Sequence, residues 1–481
     1  MKTKTFAILL ALCVFAMGTA KANNVDLQTA KQVGAYFLTQ VTGAKAPINE
    51  DALDLAIQFD NATLCTPALY AFNVSGDGFV VVSASDCVEP ILAYSPTGKI
   101  DNANPACRNM LESYARIISD HQNASATAQK EVATLWNSML DQTYVCTPDL
   151  SKAVLVKAKW DQGENRNPTY NFFCPVLNGK YCYTGCVATA MAMIIHYWKY
   201  PVKGGSRTSH TATCPWNGTT MKYKFQVDSN KFVYDSMPVS LTVNSPWNNI
   251  RAVAKLSYAC GVTVKMGWSP TGSGAHSEDV PAALINWFLY QDMAAYRERG
   301  VSVTDEAWVN MLHQEIDDYA RPVYYSARDN SSEGRDAGHA FVISGTSNSD
   351  PNKFYINWGW GGSSNGFFTL APRTSIETAG GYKFKDSHAV VYKIQPKSSD
   401  IEENTSFALA PAYPNPTSDY LMIPTDADFN MRLTVYSIDG KMVDNYVVPA
   451  GAQEYRLDVR NYPAGAYFYR MDGNAYKFIV E

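Results

Sequence analysis

The chain has 481 residues, of which 46% are hydrophobic and 18% are charged. This composition is typical of globular proteins and excludes a disordered or fibrous chain, and the length predicts two or three domains. With 40 basic and 45 acidic residues the formal net charge is -5, and no run of basic residues stands out. These charges argue against nucleic acid or an anionic membrane surface as a partner.

The first 22 residues have the pattern of a secretory signal peptide. Lys2 and Lys4 precede an apolar run at residues 6–17, and residues 20–22 form a small-x-small cleavage site. The apolar run is too short to span a bilayer, and no later segment has the pattern of a transmembrane helix. A buried first helix is the alternative. We predict that residues 1–22 are removed and that the mature protein passes through the periplasm to be secreted or attached at the outer surface.

Residues 23–149 combine strand and helix patterns. Two β-rich runs on either side of residues 76–78 predict a hairpin. Helical patterns follow at residues 109–119 and 126–140. Pro148 then interrupts the pattern and predicts an exposed boundary to the next block.

Residues 150–396 form the second block, and their cysteines are odd in number, so at least one thiol has no partner within the block. These cysteines are Cys174, Cys182, Cys186, Cys214 and Cys260. No CxxC pair occurs in the chain, which argues against a zinc ribbon or a redox motif.

Cys186 has the setting of a reactive cysteine. It follows Gly185 and precedes residues 187–198, which are mostly apolar. This pattern predicts a buried helix with Cys186 in its first turn, where the helix N-terminus lowers the pKa of a thiol. A plain core cysteine, or a disulfide with Cys182, is the alternative.

His339 begins a predicted strand at residues 338–343, and a second strand is predicted at residues 354–358 with turn-forming residues between them. A hairpin centred on Asn348 would place His339 opposite Asn357, with the two side chains about 5 Å apart. The amide oxygen would then fix the tautomer of His339 and leave its other nitrogen for a thiol. A slip of one residue would reverse the face, and a merely buried histidine is the alternative.

Gln162 lies 24 residues before Cys186 in the chain. Its side chain and the backbone N–H of Cys186 would supply two donors to the oxyanion of an acyl-transfer reaction. Considered alone, Gln162 has the pattern of an ordinary surface residue.

The end of the chain has a different composition. Residues 397–406 are a polar linker, and residues 407–481 contain no cysteine or histidine. Short β-rich runs alternate with turns in this last block. The spacing predicts a small all-β sandwich.

Several stretches of the second block resemble the streptopain family of papain-like bacterial cysteine peptidases. They are residues 160–163 (WDQG), 184–190 (TGCVATA), 272–275 (GSGA), 338–342 (GHAFV) and 357–362 (NWGWGG). Residues 78–84 in the first block resemble the inhibitory propeptide of that family. The local signature that papain itself has around its cysteine is absent.

The resemblance implies a role for each matched position. Cys186 would be the nucleophile, His339 the general base and acid, Asn357 its orienter and Gln162 the oxyanion donor. Trp358 would shield the bond between His339 and Asn357 from water.

The resemblance also implies an α+β fold in which a papain-like catalytic domain packs its helical part on an antiparallel sheet. An α+β propeptide would precede this domain and the small β-sandwich would follow it. Ser273, Gly274 and the backbone of Gly338 would line the substrate cleft. Neither a cofactor nor a metal is expected.

The last block resembles the sorting domain of the type nine secretion system. The matching residues are 413–416 (YPNP), 435–441, 463–467 and the terminal run 477–480. This implies an outer-membrane organism, the type nine machinery as a partner and removal of the block after export. A carbohydrate-binding or adhesive sandwich is the alternative.

The leading hypothesis is a secreted cysteine endopeptidase made as a zymogen. It would cleave protein or peptide substrates through a Cys-His-Asn acyl-enzyme mechanism, and its own propeptide would inhibit it. A transglutaminase-like Cys-His-Asp site is a second hypothesis, against which Asn357 argues. An inactive binding protein is a third, against which the intact Cys186 and His339 argue.

Overall fold

A computed structural model describes the chain over residues 22–61, 64–122, 130–149, 154–202, 207–213, 220–226, 232–300, 303–328, 338–370, 387–397, 412–425, 431–438, 440–449, 452–471 and 474–481. Cys214 and nearly all of the predicted signal peptide and linker lie outside these residues. Among the helices described, none is long and apolar enough to cross a membrane.

The described residues of the N-terminal block form three α-helices and four strands. They are α1 (Leu27–Thr42), β1 (Leu53–Asp60), β2 (Pro67–Val74), β3 (Phe79–Ser83), β4 (Ile91–Ser95), α2 (Pro105–Gln122) and α3 (Lys130–Leu140). Helix α1 begins where the Asp26 carboxylate accepts from the Thr29 N–H at 2.7 Å, and it ends at Gly43 in the left-handed conformation. Strands β2 and β3 form the predicted hairpin.

The middle block contains the other α-helices found among the described residues. Its elements are β5 (Val176–Leu177), β6 (Lys180–Tyr181), α4 (Cys186–Trp198), β7 (Arg207–Thr213), β8 (Thr220–Gln226), α5 (Trp247–Thr263), α6 (Asp279–Trp287), β9 (Ala295–Glu298), α7 (Asp305–His313), β10 (Val323–Arg328), β11 (Gly338–Thr346), β12 (Lys353–Asn357), β13 (Gly366–Thr369) and β14 (Ser387–Tyr392). The fold is α+β and papain-like, with helices packed on an antiparallel sheet, as predicted.

One antiparallel sheet of ten strands joins the first two blocks, in the order β1-β2-β3-β4-β13-β12-β11-β10-β14-β9. The junction is between β4 and β13, where Tyr94 pairs with Phe367 and Ala93 with Phe368. The N-terminal block therefore extends the sheet of the middle block by strand addition, which is a recognised way for one polypeptide segment to bind another.

Residues of β11 alternate between two cores because successive side chains of a strand point to opposite faces. Ala340 and Val342 lie in the core that contains α4 and α5. Phe341 and Ile343 lie in the opposite core, which contains residues of α2 and α7. The start of β11 is thus held between two packed layers.

The predicted register of the β11–β12 hairpin is wrong. Asn357 pairs with Val342, and not with His339, and the pairing shifts between Ile343 and Gly345. The turn is centred near Asp350, because the Asp350 carboxylate accepts from the Asn352 N–H at 2.9 Å and its carbonyl accepts from the N–H of the first β12 residue at 3.1 Å. These local bonds place the turn later than the centre at Asn348 that composition suggested.

The C-terminal block is all β over the residues that the structure describes. Its strands are β15 (Tyr420–Pro424), β16 (Met431–Ser437), β17 (Met442–Val448), β18 (Glu454–Asp458), β19 (Gly465–Met471) and β20 (Asn474–Val480). Strands β15 and β18 form one sheet, and β17-β16-β19-β20 form the other. Both sheets contribute to one core, as expected for the predicted sandwich.

Candidate active site

Cys186 is the first residue of α4, as predicted, and its side chain is half-buried. Gly185 precedes it with φ 86°. A Cβ on Gly185 would lie 2.8 Å from Met266 Sδ and 3.0 Å from the Ser273 carbonyl oxygen. Glycine at this position therefore lets the loop that carries Ser273 approach Cys186. The Cys186 thiol is free, so the predicted alternative of a disulfide is wrong.

The environment of Cys186 favours the thiolate. Burial raises the pKa of the thiol, but the hydrogen bond to His339 and the charge of that ring lower it. The N–H groups of Ala340 and Val187 also lower it, and the resulting pKa is below the ordinary value for cysteine. A thiolate, and not a thiol, is the nucleophilic form of cysteine.

The environment of His339 favours the protonated, positively charged ring. Burial lowers the pKa of its ring, whereas the hydrogen bond to Cys186, the charge of that thiolate and the Trp358 carbonyl raise it, and the net pKa lies above the ordinary value. Cys186 and His339 are therefore placed to form a thiolate–imidazolium pair. Such a pair resembles that of activated nucleophiles in thiol enzymes.

The acceptor that orients His339 is a backbone carbonyl. His339 Nε2 donates to the Trp358 carbonyl oxygen at 2.8 Å, which leaves Nδ1 for the thiol of Cys186. The Trp360 ring lies nearby, with its centroid 6.5 Å from that of His339. A backbone carbonyl is present at every residue, so this partner carries no sequence signal.

The prediction that the Asn357 amide accepts directly from His339 is therefore corrected. Asn357 is buried, its Nδ2 donates to the Ala158 carbonyl at 2.6 Å, and its Oδ1 accepts from the Gly359 N–H at 3.2 Å. The physical reason is the shifted register, which moves Asn357 three residues along β11 from His339. Asn357 instead joins the backbone of Gly359, just after Trp358, to the backbone of Ala158.

Trp358 is buried against the core, with 1% of its surface exposed. Its ring lies 4.9 Å from Phe341 and 5.1 Å from Phe368, between centroids. Its Nε1 donates to the Ser364 carbonyl at 2.9 Å, and its N–H donates to Asn365 Oδ1 at 3.0 Å. These contacts fix residue 358, whose carbonyl meets His339.

The structure also brings Gln162 close to the start of α4. The Gln162 carbonyl accepts from both the N–H and the hydroxyl of Thr184, each at 3.0 Å. Thr184 is two residues before Cys186, so the backbone of Gln162 lies beside the segment that leads into Cys186. The Gln162 side chain is half-buried.

The predicted cleft residues lie on two segments. Ser273 Oγ accepts from the Ser269 N–H at 2.9 Å, and the backbones of Gly267 and Gly274 bond to each other. Gly338 is exposed at the start of β11, next to His339. Ser273 lies near Cys186 because its carbonyl oxygen approaches Gly185, the residue before Cys186. Gly338 lies near the site because it precedes His339 in β11.

Within the described part of the chain, no group of three or more His, Cys, Asp or Glu side chains is arranged to hold a metal ion. The chemistry available at this site is that of a charged cysteine–histidine pair at a helix N-terminus. Together with a helical layer packed on an antiparallel sheet, this pair defines a papain-like cysteine peptidase.

Comparison with known proteins identifies the family. Residues 160–368 match the model of the peptidase C10 family, and this part of the chain is that of a cysteine-type endopeptidase of the family. Residues 22–118 match the Spi protease inhibitor family, and residues 411–481 match the secretion system C-terminal sorting domain.

Individual relatives agree with this assignment. The chain is 29% identical to streptopain of Streptococcus pyogenes serotype M1 over 320 residues, which cover 63% of this chain and 73% of streptopain. It is 27% identical over 402 residues to the thiol protease/hemagglutinin PrtT of Porphyromonas gingivalis, covering 82% of this chain and 44% of PrtT. A fragment of Prevotella intermedia prointerpain A with a cysteine-to-alanine substitution superposes with a TM-score of 0.53 and 25% identity, covering 72% of this chain and all of the fragment.

Proposed function

We propose that this chain is the zymogen of an endopeptidase that cleaves protein or peptide substrates through a thioester intermediate on Cys186. The thiolate attacks the carbonyl carbon of the scissile bond, and His339 donates its proton to the leaving amine. A water molecule then attacks the thioester, with His339 as general base, and the carboxylic product leaves with regeneration of the thiolate. The observation that carries this proposal is the hydrogen-bonded Cys186–His339 pair at the N-terminus of α4.

Two further groups would stabilise the reaction. The Cys186 N–H and the Gln162 side chain are proposed as donors to the oxyanion, supported by the bonds that tie Gln162 to Thr184. The Trp358 carbonyl would hold the tautomer of His339 that presents Nδ1 to the thiol. The Trp358 ring would exclude water from this bond, and the cleft would be lined by Ser273, Gly274 and Gly338.

The N-terminal block is proposed as an inhibitory propeptide, with boundaries at residues 23–149. Its match to a protease inhibitor family and its strand addition to the peptidase sheet support this role. Buried polar contacts cross the same interface: Asp149 accepts from the Ser347 hydroxyl and the Asn348 N–H, and the Tyr94 hydroxyl lies 2.7 Å from Ser347 Oγ. The peptidase domain would then cover residues 150–396.

The two ends of the chain are proposed to direct export. Residues 1–22 would take the precursor to the periplasm. Residues 407–481, after the linker at residues 397–406, would engage the type nine secretion machinery, as the match to a sorting domain supports. The mature enzyme would then act at the cell surface or outside the cell.

The test is substitution of the nucleophile. We expect Cys186→Ala to abolish hydrolysis of a peptide substrate and labelling by a peptidyl epoxide, because the covalent step is removed. Cys65→Ala is the matched control, since Cys65 is exposed in the N-terminal block and should be dispensable. Ordinary turnover by Cys186→Ala would refute the mechanism.

A further inference from the structure

The loop that carries Ser273 is fixed to the core at both of its ends. At the first end, the Gly267 N–H donates to the Gly274 carbonyl at 2.9 Å, and Ser273 Oγ accepts from the Ser269 N–H at 2.9 Å. At the second end, Ser277 Oγ lies 2.8 Å from the hydroxyl of Tyr324. The segment between Ser273 and Ser277 is therefore held by hydrogen bonds at both of its ends.

Tyr324 reaches this loop from the sheet beneath the nucleophile. It lies on β10, pairs with Val342 of β11, and is fully buried in the core that Cys186 also contacts. Burial, together with the nearby Cys186, holds the pKa of Tyr324 well above its usual value. The phenol therefore stays protonated at every pH at which the enzyme would work, and it remains available for the hydrogen bond to Ser277.

Ser277 is only half-buried, so the contact joins a buried hydroxyl group to the wall of the cleft. Ser273 lies at the other end of the segment, and its carbonyl oxygen is 3.0 Å from where a Cβ on Gly185 would lie. A displacement of the loop would thus change the distance between the cleft wall and the residue that precedes the nucleophile. It would leave the Cys186–His339 pair, which is built from α4 and β11, in place.

We propose that Tyr324 and Ser277 are positioning residues that hold the loop at residues 273–277 in the geometry that binds substrate. This inference rests on the proposed function, since it assigns a part of the cleft of that same site. The two residues act through the loop and not on the reacting atoms. Their hydrogen bond should therefore affect substrate binding much more than the chemical step.

The experiment compares three variants of the mature enzyme with wild type on an extended peptide substrate. Tyr324→Phe and Ser277→Ala should each raise KM by about five- to tenfold, the effect of one lost hydrogen bond, with kcat within about twofold of wild type. The double variant should be no worse than either single variant, because both remove the same bond. Alkylation of Cys186 by iodoacetamide, which needs no contact with the loop, should keep its rate and pH profile.

Tyr325→Phe is the matched control. Tyr325 is the next residue of β10, it is equally buried, and its hydroxyl bonds to Trp308 and His388 on the opposite face of the sheet. This variant should lower the Tm without raising KM. A similar rise in KM for Tyr325→Phe would show that loss of packing explains the effect and would overturn the inference.

Other outcomes also decide the question. Additive effects of Tyr324→Phe and Ser277→Ala, or a shifted pH profile of alkylation in Tyr324→Phe, would contradict a role through the loop. Normal KM values in both single variants would reject this inference while the proposed function stands. A wild-type enzyme without the activity that Cys186→Ala should remove would instead reject the proposed function.

Discussion

A buried ion pair across the interface between the proposed propeptide and the peptidase gives a quantitative prediction. Lys353 Nζ lies 3.1 Å from Glu89 Oε2 and 2.8 Å from Asp350 Oδ2. The Lys353 and Glu89 side chains are only 3% and 2% exposed. Glu89 belongs to the N-terminal block and Lys353 to the peptidase block. The charge of Lys353 is therefore compensated from both sides of the interface.

Removing one partner of a buried ion pair costs about 3–5 kcal/mol, because the other charge stays buried. Here Asp350 remains, and a cavity of about 110 Å³ lined by Glu89, Asp350 and Lys353 gives space for water to solvate the ammonium group. We therefore expect a cost at or just below the lower end of that range, about 2–3 kcal/mol, for Glu89→Ala. This corresponds to a roughly 30- to 150-fold weaker binding of the propeptide.

The assay is inhibition of the mature enzyme by the purified segment of residues 23–149 added in trans, with circular dichroism to confirm that the segment is folded. Glu112→Ala is the control, since Glu112 forms an ion pair with Arg108 on the exposed surface of α2 and such pairs contribute at most about 1 kcal/mol. Combining Glu89→Leu in the propeptide with Lys353→Met and Asp350→Asn in the enzyme should restore most of the inhibition, because all three charges of the buried cluster are then absent. An unchanged inhibition constant for a folded Glu89→Ala segment would refute the reasoning.

Three further predictions follow from the site and the C-terminal block. Gly185→Ala should reduce activity more than tenfold and lower the Tm, because the new Cβ would lie 2.7 Å from Met266 Cε at a φ of 86°. Gly300→Ala is the control, since a Cβ there meets nothing within 4 Å. Equal activity of the two variants would contradict the close approach at Gly185. Alkylation of Cys186 should stay fast below the pKa of an ordinary thiol and slow down as the pH falls through the lowered pKa, whereas His339→Ala should shift this profile to higher pH; an unshifted profile would exclude the pairing. Deleting the residues after Ser398 should leave peptidase activity intact, because the contact of Arg470 with Trp198 lies about 18 Å along α4 from Cys186. The same deletion should prevent export, and fractionation that finds the truncated enzyme outside the cell would reject the sorting role.

The sequence alone determined the features that depend on local pattern. The apolar run after Gly185 specified a buried helix beginning at Cys186, because an all-round apolar pattern must be buried. The strand that begins at His339 and the strand that ends near Trp358 followed from β-rich runs separated by turn formers. The motifs around Gln162, Cys186 and His339 were sufficient to identify the family.

The tertiary structure decided which groups meet. The register of the β11–β12 hairpin depends on the turn bonds of Asp350 and on the irregularity in pairing after Ile343. Because the register is shifted by three residues, His339 bonds to the Trp358 carbonyl and not to the Asn357 amide. The union of two blocks in one sheet rests on β4 meeting β13, more than 260 residues later in the chain. The backbone N–H and C=O groups at a strand edge are alike at every residue, so the sequence does not predict which distant strands pair or which carbonyl accepts a side-chain bond. These contacts form only when the packed cores bring the segments together.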